Sequence, residues 1–202
     1  MTIAYDHNYI RVVDGVLDPE FCSHLIEQFE RGAKYHKETP GKLIELDCYN
    51  ARHNPKAWIP GNKTIWRGYD WTEDTDRVMS LLKPHMDSYR ARWDTYGCLP
   101  NAYSAEGIRI KCYRPGQHEF KLHIDQGTRE SSSRFMAVLV YLNDNQAGTE
   151  FPLENYTVAA RTGRIVIFSP SWQFPHRGLM PLESTKYIMS TYLHFIPEND
   201  YK

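Results

Sequence analysis

The sequence predicts an α+β protein in which N-terminal helices precede a run of short strands folded as a sandwich or barrel. Three observations predict it. Before Gly97 the apolar residues recur at helical spacing, and after it they alternate with period two. Turn residues punctuate the second half at short intervals. The length, 202 residues, suits one domain with a substantial core.

Tyr9 to Asp14 reads as a short strand closed by Gly15. Asp18-Pro19-Glu20 is a helix start, with an N-cap, a Pro at the first helical position and an acid in the first turn. Phe21, Leu25, Ile26 and Phe29 form its apolar stripe, and Gly32 is the expected end. Residues 33–70 hold Pro40, Gly41, Pro55, Pro60 and Gly61, with Lys42 to Leu46 as a candidate strand. A long irregular segment of this kind serves function or motion more often than inert packing. A second helix is expected from Thr72 to about Arg92, capped by Thr72 and favoured by Glu73, Asp74 and Asp76. Val78, Leu81, Leu82, Met86 and Tyr89 mark its buried face, and Pro84 should bend or break it.

The strands follow. Glu106 to Tyr113 leads to a Pro115-Gly116 turn, and Phe120 to Asp125 to a polar loop over 126–133. Arg134 to Leu142 is a strong strand, with Asn143 to Gly148 as a turn. Thr149 to Phe151, Thr157 to Ala159 and Arg164 to Ser169 are short strands, the last two joined by Arg161-Thr162-Gly163. Tyr187 to Phe195 is the last strand.

The composition is 41% hydrophobic and 24% charged, with net charge −1, which argues against a broad basic surface for nucleic acid. Cys22, Cys48, Cys98 and Cys112 form no Cys-x-x-Cys pair, so structural zinc is not expected and a reducing compartment is. Met1-Thr-Ile-Ala-Tyr-Asp6 has no basic start before an apolar core, and no run is apolar enough to span a bilayer. The expectation is a soluble, cytoplasmic protein without a membrane partner.

The chemistry centres on His123-Ile124-Asp125. In a regular strand Glu119, Lys121, His123 and Asp125 share one side, and Phe120, Leu122 and Ile124 the other. An imidazole and a carboxylate from one face are two thirds of a site suited to ferrous iron. His-x-Asp also arises by chance at a polar strand end, so its meaning depends on partners. His176, in Phe168-Ser-Pro-Ser-Trp-Gln-Phe-Pro-His176, is the candidate third ligand, against the plainer reading of a loop His. His118 and His194 are rivals expected to be structural. Lys186 heads the last strand on one face with Ile188, Ser190 and Tyr192, while Tyr187, Met189, Thr191 and Leu193 form the other. A buried Lys there would clamp a carboxylate; a surface Lys would snorkel.

This order of residues resembles the iron(II)- and 2-oxoglutarate-dependent dioxygenases, and within them the prolyl 4-hydroxylase catalytic-domain group with its small phage and bacterial members. Ile108 to Tyr113, Tyr141-Leu-Asn-Asp144, Gly148-Thr-Glu-Phe151 and Gly163 to Phe168 resemble that group's stretches in the same order. The resemblance covers roughly residues 8–30 and 105–196. It implies a double-stranded β-helix, a jelly-roll or cupin-like barrel supported by the N-terminal helices. It implies one dioxygenase domain over 1–202, with about 1–97 as helical support and substrate-side loops and about 98–196 as the barrel core. Phe120, Leu122 and Ile124 would then pack outward beneath the helices.

The resemblance further implies that His123, Asp125 and His176 bind Fe(II) and form the catalytic centre. Lys186 and Tyr113 would bind 2-oxoglutarate, with Ser190 and Thr149 lining its pocket. Trp172 and Arg134 would line the substrate side. O2 is the second co-substrate and ascorbate an optional reductant. The reaction implied is hydroxylation of an unactivated C–H with release of succinate and CO2. Asp125 favours this over halogenation, because related halogenases carry a small residue there. Peptidyl-proline is the leading substrate; a free amino acid, a small metabolite or another protein side chain is the alternative. A non-catalytic metal- or sugar-binding β-barrel module is the alternative of another class. The chain departs from the group at Gln146-Ala147-Gly148, which lacks the first Gly of a doublet, and at Tyr187, where many members have Trp. Residues 33–70, which border the substrate groove in the group, match nothing in it. Loop 126–133 reads equally as a lid or a plain connection.

Overall fold

The computed structural model describes residues 1–38, 63–65, 72–100 and 102–196. The candidate strand Lys42 to Leu46 lies outside them. In chain order the elements are β1 (Thr2–His7), β2 (Ile10–Asp14), α1 (Pro19–Glu38), β3 (Lys63–Ile65), α2 (Thr72–Trp93), β4 (Tyr103–Ala105), β5 (Ile108–Tyr113) and β6 (Phe120–His123). Then come β7 (Arg134–Tyr141), β8 (Asn145–Phe151), a 3-10 turn (Pro152–Glu154), β9 (Tyr156–Ala160), β10 (Ile165–Phe168), β11 (His176–Gly178) and β12 (Lys186–Phe195). The protein is mostly β with few helices.

The strands form two antiparallel sheets. The larger runs β1-β2-β10-β7-β12-β5-β3, with β4 also on β12; the smaller runs β6-β11-β8-β9. Alternation along β7 builds two cores at once. Met136, Val138 and Val140 face α1 and α2, where Phe21, Leu25, Phe29, Val78, Leu82 and Met86 meet them. Ala137, Leu139 and Tyr141 face the smaller sheet and pack with Phe151, Val158 and Phe168. The result is three layers: helices, large sheet, small sheet. Leu25 and Leu82 are fully buried, and truncating either to Ala would cost about 2–5 kcal/mol.

Asp18 caps α1 as the sequence predicts, its Oδ1 accepting from the Phe21 N–H at 2.7 Å. The helix does not stop near Gly32 but continues to Glu38. Ala33-Lys34 and the residues after them are good enough helix formers to carry the chain past one glycine. In α2, Pro84 does not break the helix, which runs on to Trp93. Pro84 and Ser80 both lie on the exposed side, so the carbonyl deprived of its N–H partner faces water.

Further differences concern strands. β1 was not expected; it pairs with β2 through a two-residue turn in which Asn8 and Tyr9 both have positive φ. Residues 145–148, expected as turn, belong to β8. β3, β4 and β11 are also additions. Among the described residues no helix is long and apolar enough to cross a membrane.

Candidate functional site

The two sheets part around a cleft of about 400 Å3, between β5 and β12 on one side and β6, β8 and β11 on the other. His123 ends β6 and His176 begins β11, directly paired across the strands. The next pair is Phe120 with Gly178, so Lys121 and Leu122 together oppose Arg177 alone. This one-residue bulge turns Phe120 and His123 to the same side, both lining the cleft. Strict alternation therefore fails here. Leu122 is 56% exposed and Phe120 packs into the inter-sheet core, so neither lies beneath the helices.

Asp125 follows β6 in a turn held from two sides. Arg134 Nη1 donates to the Asp125 carbonyl at 2.8 Å, and the Gln126 N–H donates to Pro170 O at 3.1 Å. Its buried carboxylate then meets both imidazoles: His123 Nε2 is 3.4 Å from Oδ1 and His176 Nε2 is 3.3 Å from Oδ2. The three potential ligand atoms lie within 4.8 Å of one another.

The donor set fits a metal ion. His123 Nδ1 lies 2.7 Å from Lys121 O and His176 Nδ1 lies 3.1 Å from Phe174 O. Neutral rings donating from Nδ1 present bare lone pairs at Nε2, which is how metal-binding imidazoles are oriented. Those lone pairs face a carboxylate whose buried Oδ2 has no hydrogen-bond partner. Lone pair against lone pair is repulsive unless a cation sits between. Burial, with His176 beside it, lowers the pKa of His123 and so keeps it neutral. Burial opposes ionisation of Asp125, and positive charge on the imidazole side of the cleft favours it, holding the carboxyl well below the usual range.

β12 carries the other end. Lys186, Ile188, Ser190 and Tyr192 line the cleft, and Met189 and Leu193 join the helix-side core, as the period-two pattern predicts. Lys186 is 1% exposed; its Nζ donates to Leu179 O at 2.7 Å and sits 4.6 Å from the Tyr113 ring centroid. No carboxylate among the described residues pairs with it, and burial pushes its ammonium down to about 8. Ser190 Oγ is buried without a partner among the described residues. Thr149 also lines the cleft, its hydroxyl accepting from Tyr141 at 2.7 Å. Lys186 and Ser190 line one cleft from the same face of β12, and a buried cation there is a ready seat for a carboxylate.

Trp172 and Arg134 do not line the cleft. Trp172 is 73% exposed, and Arg134 is fixed to Glu106 by paired hydrogen bonds of 2.6 and 3.0 Å. His118 accepts from the Arg114 N–H at 2.9 Å, and His194 bridges Ser133 and Glu106, so both have structural partners. Tyr187 faces α1, its hydroxyl donating to Glu30 at 2.6 Å. Loop 126–133 is tied down by Gln126, whose amide donates to Ser132 O and Arg134 O. Two polar lining residues had no assigned part in the sequence reading, Lys111 and Tyr192. The period-two pattern of β5, continued from Tyr113, would have found Lys111.

Residues 108–194 match the family model of the 2OG-Fe(II) oxygenase superfamily. The match to this part of the chain, together with the His123, Asp125 and His176 cluster within it, supports a 2-oxoglutarate-dependent dioxygenase using Fe(II), 2-oxoglutarate and O2. Solved structures of prolyl hydroxylases share its fold. The viral collagen prolyl hydroxylase of Paramecium bursaria Chlorella virus-1, in complex with 2OG, is 17% identical with a TM-score of 0.68, over 95% of this chain and 98% of that one. A Pseudomonas putida prolyl-4-hydroxylase is 16% identical with a TM-score of 0.64, over 95% of each chain. A Trichoplax adhaerens prolyl hydroxylase, in complex with a hypoxia inducible factor oxygen degradation domain peptide fragment, is 22% identical with a TM-score of 0.60, over 93% of this chain and 84% of that one. No curated relative matches the chain by sequence.

Proposed function

We propose that this dioxygenase hydroxylates an unactivated C–H, with peptidyl-proline as the leading substrate, and releases succinate and CO2. In this reading residues 1–202 form one domain whose strands build a double-stranded β-helix. His123, Asp125 and His176 hold Fe(II), and Lys186 with Tyr113 takes the far carboxylate of 2-oxoglutarate. The observation that carries it is the pairing, in one cleft, of two imidazole Nε2 atoms around a buried carboxylate with a buried lysine that has no counter-ion among the described residues. Three protein ligands on one face leave coordination positions for a chelating co-substrate and dioxygen. When bound, the iron supplies Lewis acidity and activates oxygen.

The residues of the chain orient and insulate. Lys186 donates to the incoming carboxylate while Leu179 O holds its ammonium in place. Ser190 Oγ supplies a second donor from the same strand face. Leu139 and Ile188 wall the cleft with apolar surface, which excludes water and strengthens those charge contacts. Prolyl peptides lead because two solved neighbours are named as collagen and prolyl-4-hydroxylases and a third holds a peptide fragment.

The experiment is iron-dependent succinate formation from 2-oxoglutarate, joined to a mass-spectrometric search for a +16 Da product among proline-containing peptides. His123→Ala should abolish both signals. Failure of the wild-type protein to bind iron and 2-oxoglutarate would overturn the reading. A hydroxylated free amino acid or small metabolite in place of a peptide would replace the substrate and leave the chemistry standing.

A further inference from the structure

The cleft contains a second lysine that the site described above does not use. Lys111 lies on β5 between Arg109 and Tyr113, on the face turned toward the smaller sheet. It pairs in register with Ile188, as Tyr113 pairs with Lys186. Lys111 is thus two residues, about 7 Å, from the Lys186 end of the cleft. Its side chain is half-buried, with Nζ 4.8 Å from the Phe120 ring centroid.

No carboxylate among the described residues pairs with it. The charged groups facing it are Asp125, Arg109, Arg134 and Glu106. Asp125 is turned to His123 and His176 and accepts from Tyr192, and Glu106 is engaged by Arg109, Arg134 and His194. The charges of the loaded site sharpen this. Fe(II) bound to Asp125 keeps one positive charge and Lys186 adds another, and the two carboxylates of 2-oxoglutarate match them. Lys111 is left over, in a place where burial pushes its ammonium down to about 8. An uncompensated, partly desolvated cation is costly unless a ligand brings the anion.

We propose that Lys111 is a specificity-determining residue that binds a carboxylate of the prime substrate, so that the preferred peptide carries an acidic group next to the hydroxylated residue. The proposal rests on the function proposed above. It separates a substrate of charged neighbourhood from a neutral proline-rich one.

The test uses wild type, Lys111→Met and Lys111→Gln, each checked for thermal unfolding and loaded with Mn(II) and 2-oxoglutarate without oxygen. Calorimetry compares two short peptides that differ only in Asp against Asn beside a proline. The wild type should bind the Asp peptide at least about tenfold more tightly, and the ratio should collapse toward one in both variants. With iron and oxygen restored, the same ratio should appear in KM for hydroxylation. The affinity for 2-oxoglutarate should stay within about twofold. Equal binding of the two peptides, no binding of the Asp peptide, or a preference that survives both substitutions would overturn the proposal. So would a fall in 2-oxoglutarate affinity in place of peptide selectivity, which would assign the carboxylate to the co-substrate. Loss of metal and co-substrate binding in the wild type would instead overturn the underlying reading.

Discussion

The Tyr192 hydroxyl donates a 3.0 Å hydrogen bond to Oδ1 of Asp125 inside the cleft. That bond occupies one carboxylate oxygen and leaves Oδ2, buried and unpartnered, beside His176. The Arg134 guanidinium lies 3.8 Å from the centroid of the Tyr192 ring, which fixes the ring's position. Tyr192 is therefore a positioning residue for the carboxylate. Tyr192→Phe keeps the packing and removes the bond. It should weaken metal affinity by about 10- to 100-fold, as loss of an outer partner does at other metal sites. Metal titration in the absence of oxygen measures this. An unchanged metal affinity would mean that Asp125 is held by its backbone turn alone.

What was legible in the sequence follows the regularity of each strand. β12 is long and unbroken, so its period-two pattern placed Lys186, Ser190 and Tyr192 on one face. β6 is short and bulged, and the bulge depends on the residues of β11 opposite it. Nothing in Phe120 to Asp125 alone announces that register, so Phe120 and Leu122 were assigned to the wrong surroundings. The turn at Asn8-Tyr9 lacks the usual glycine, which hid the first hairpin. Asn145 to Gly148 has the composition of a turn, yet the sheet recruits it into β8. Lys111 escaped attention because a basic residue alternating with apolar ones ordinarily faces water. Here a second sheet covers that face.

Gly163 illustrates a constraint of another kind. Its φ is +72°, and a Cβ placed there would come within 1.9 Å of the Leu17 carbonyl. The same glycine accepts from Val16 N–H at 2.9 Å and so ties the turn before α1 to the turn before β10. Gly163→Ala combines backbone strain with a clash against main chain. It should destabilise the fold by more than about 3 kcal/mol, read from urea unfolding. A loss below about 1 kcal/mol would show that the two turns can separate without cost to the sheets.

Lys186 should display opposite effects on stability and on binding. In the ligand-free protein its ammonium is buried against one carbonyl, and its pKa falls from 10.5 to about 8. A lysine depressed on folding makes the charged form unfavourable in the native state. A shift of that size corresponds to a cost of about 3 kcal/mol near neutral pH. Lys186→Met should therefore unfold at equal or higher urea concentration than wild type when no ligand is present. The same variant should lose at least about thirtyfold in 2-oxoglutarate affinity, the value of a buried charge contact truncated on one side. Calorimetry and urea unfolding on one preparation test both signs. A variant that is weaker in both would make Lys186 a structural residue.

The pH dependence of co-substrate binding follows from the same lysine. Only the ammonium form of Lys186 can pair with the far carboxylate, and in the free protein that form gives way near pH 8. Below this value the affinity for 2-oxoglutarate should be flat. Above it the charged fraction falls about tenfold per pH unit, and the dissociation constant should rise by up to the same factor. The rise should level off above the pKa of the complex, which the bound anion raises. Lys111 also titrates near pH 8, so its contribution must be removed to read the profile. Lys111→Met should retain the break if Lys186 alone carries it. Lys186→Arg should abolish the break, because a guanidinium stays charged throughout the range. Calorimetric titrations at Mn(II) saturation between about pH 6.5 and 9.5 span both sides of the transition. A break that persists in Lys186→Arg and vanishes in Lys111→Met would move the carboxylate clamp from β12 to β5.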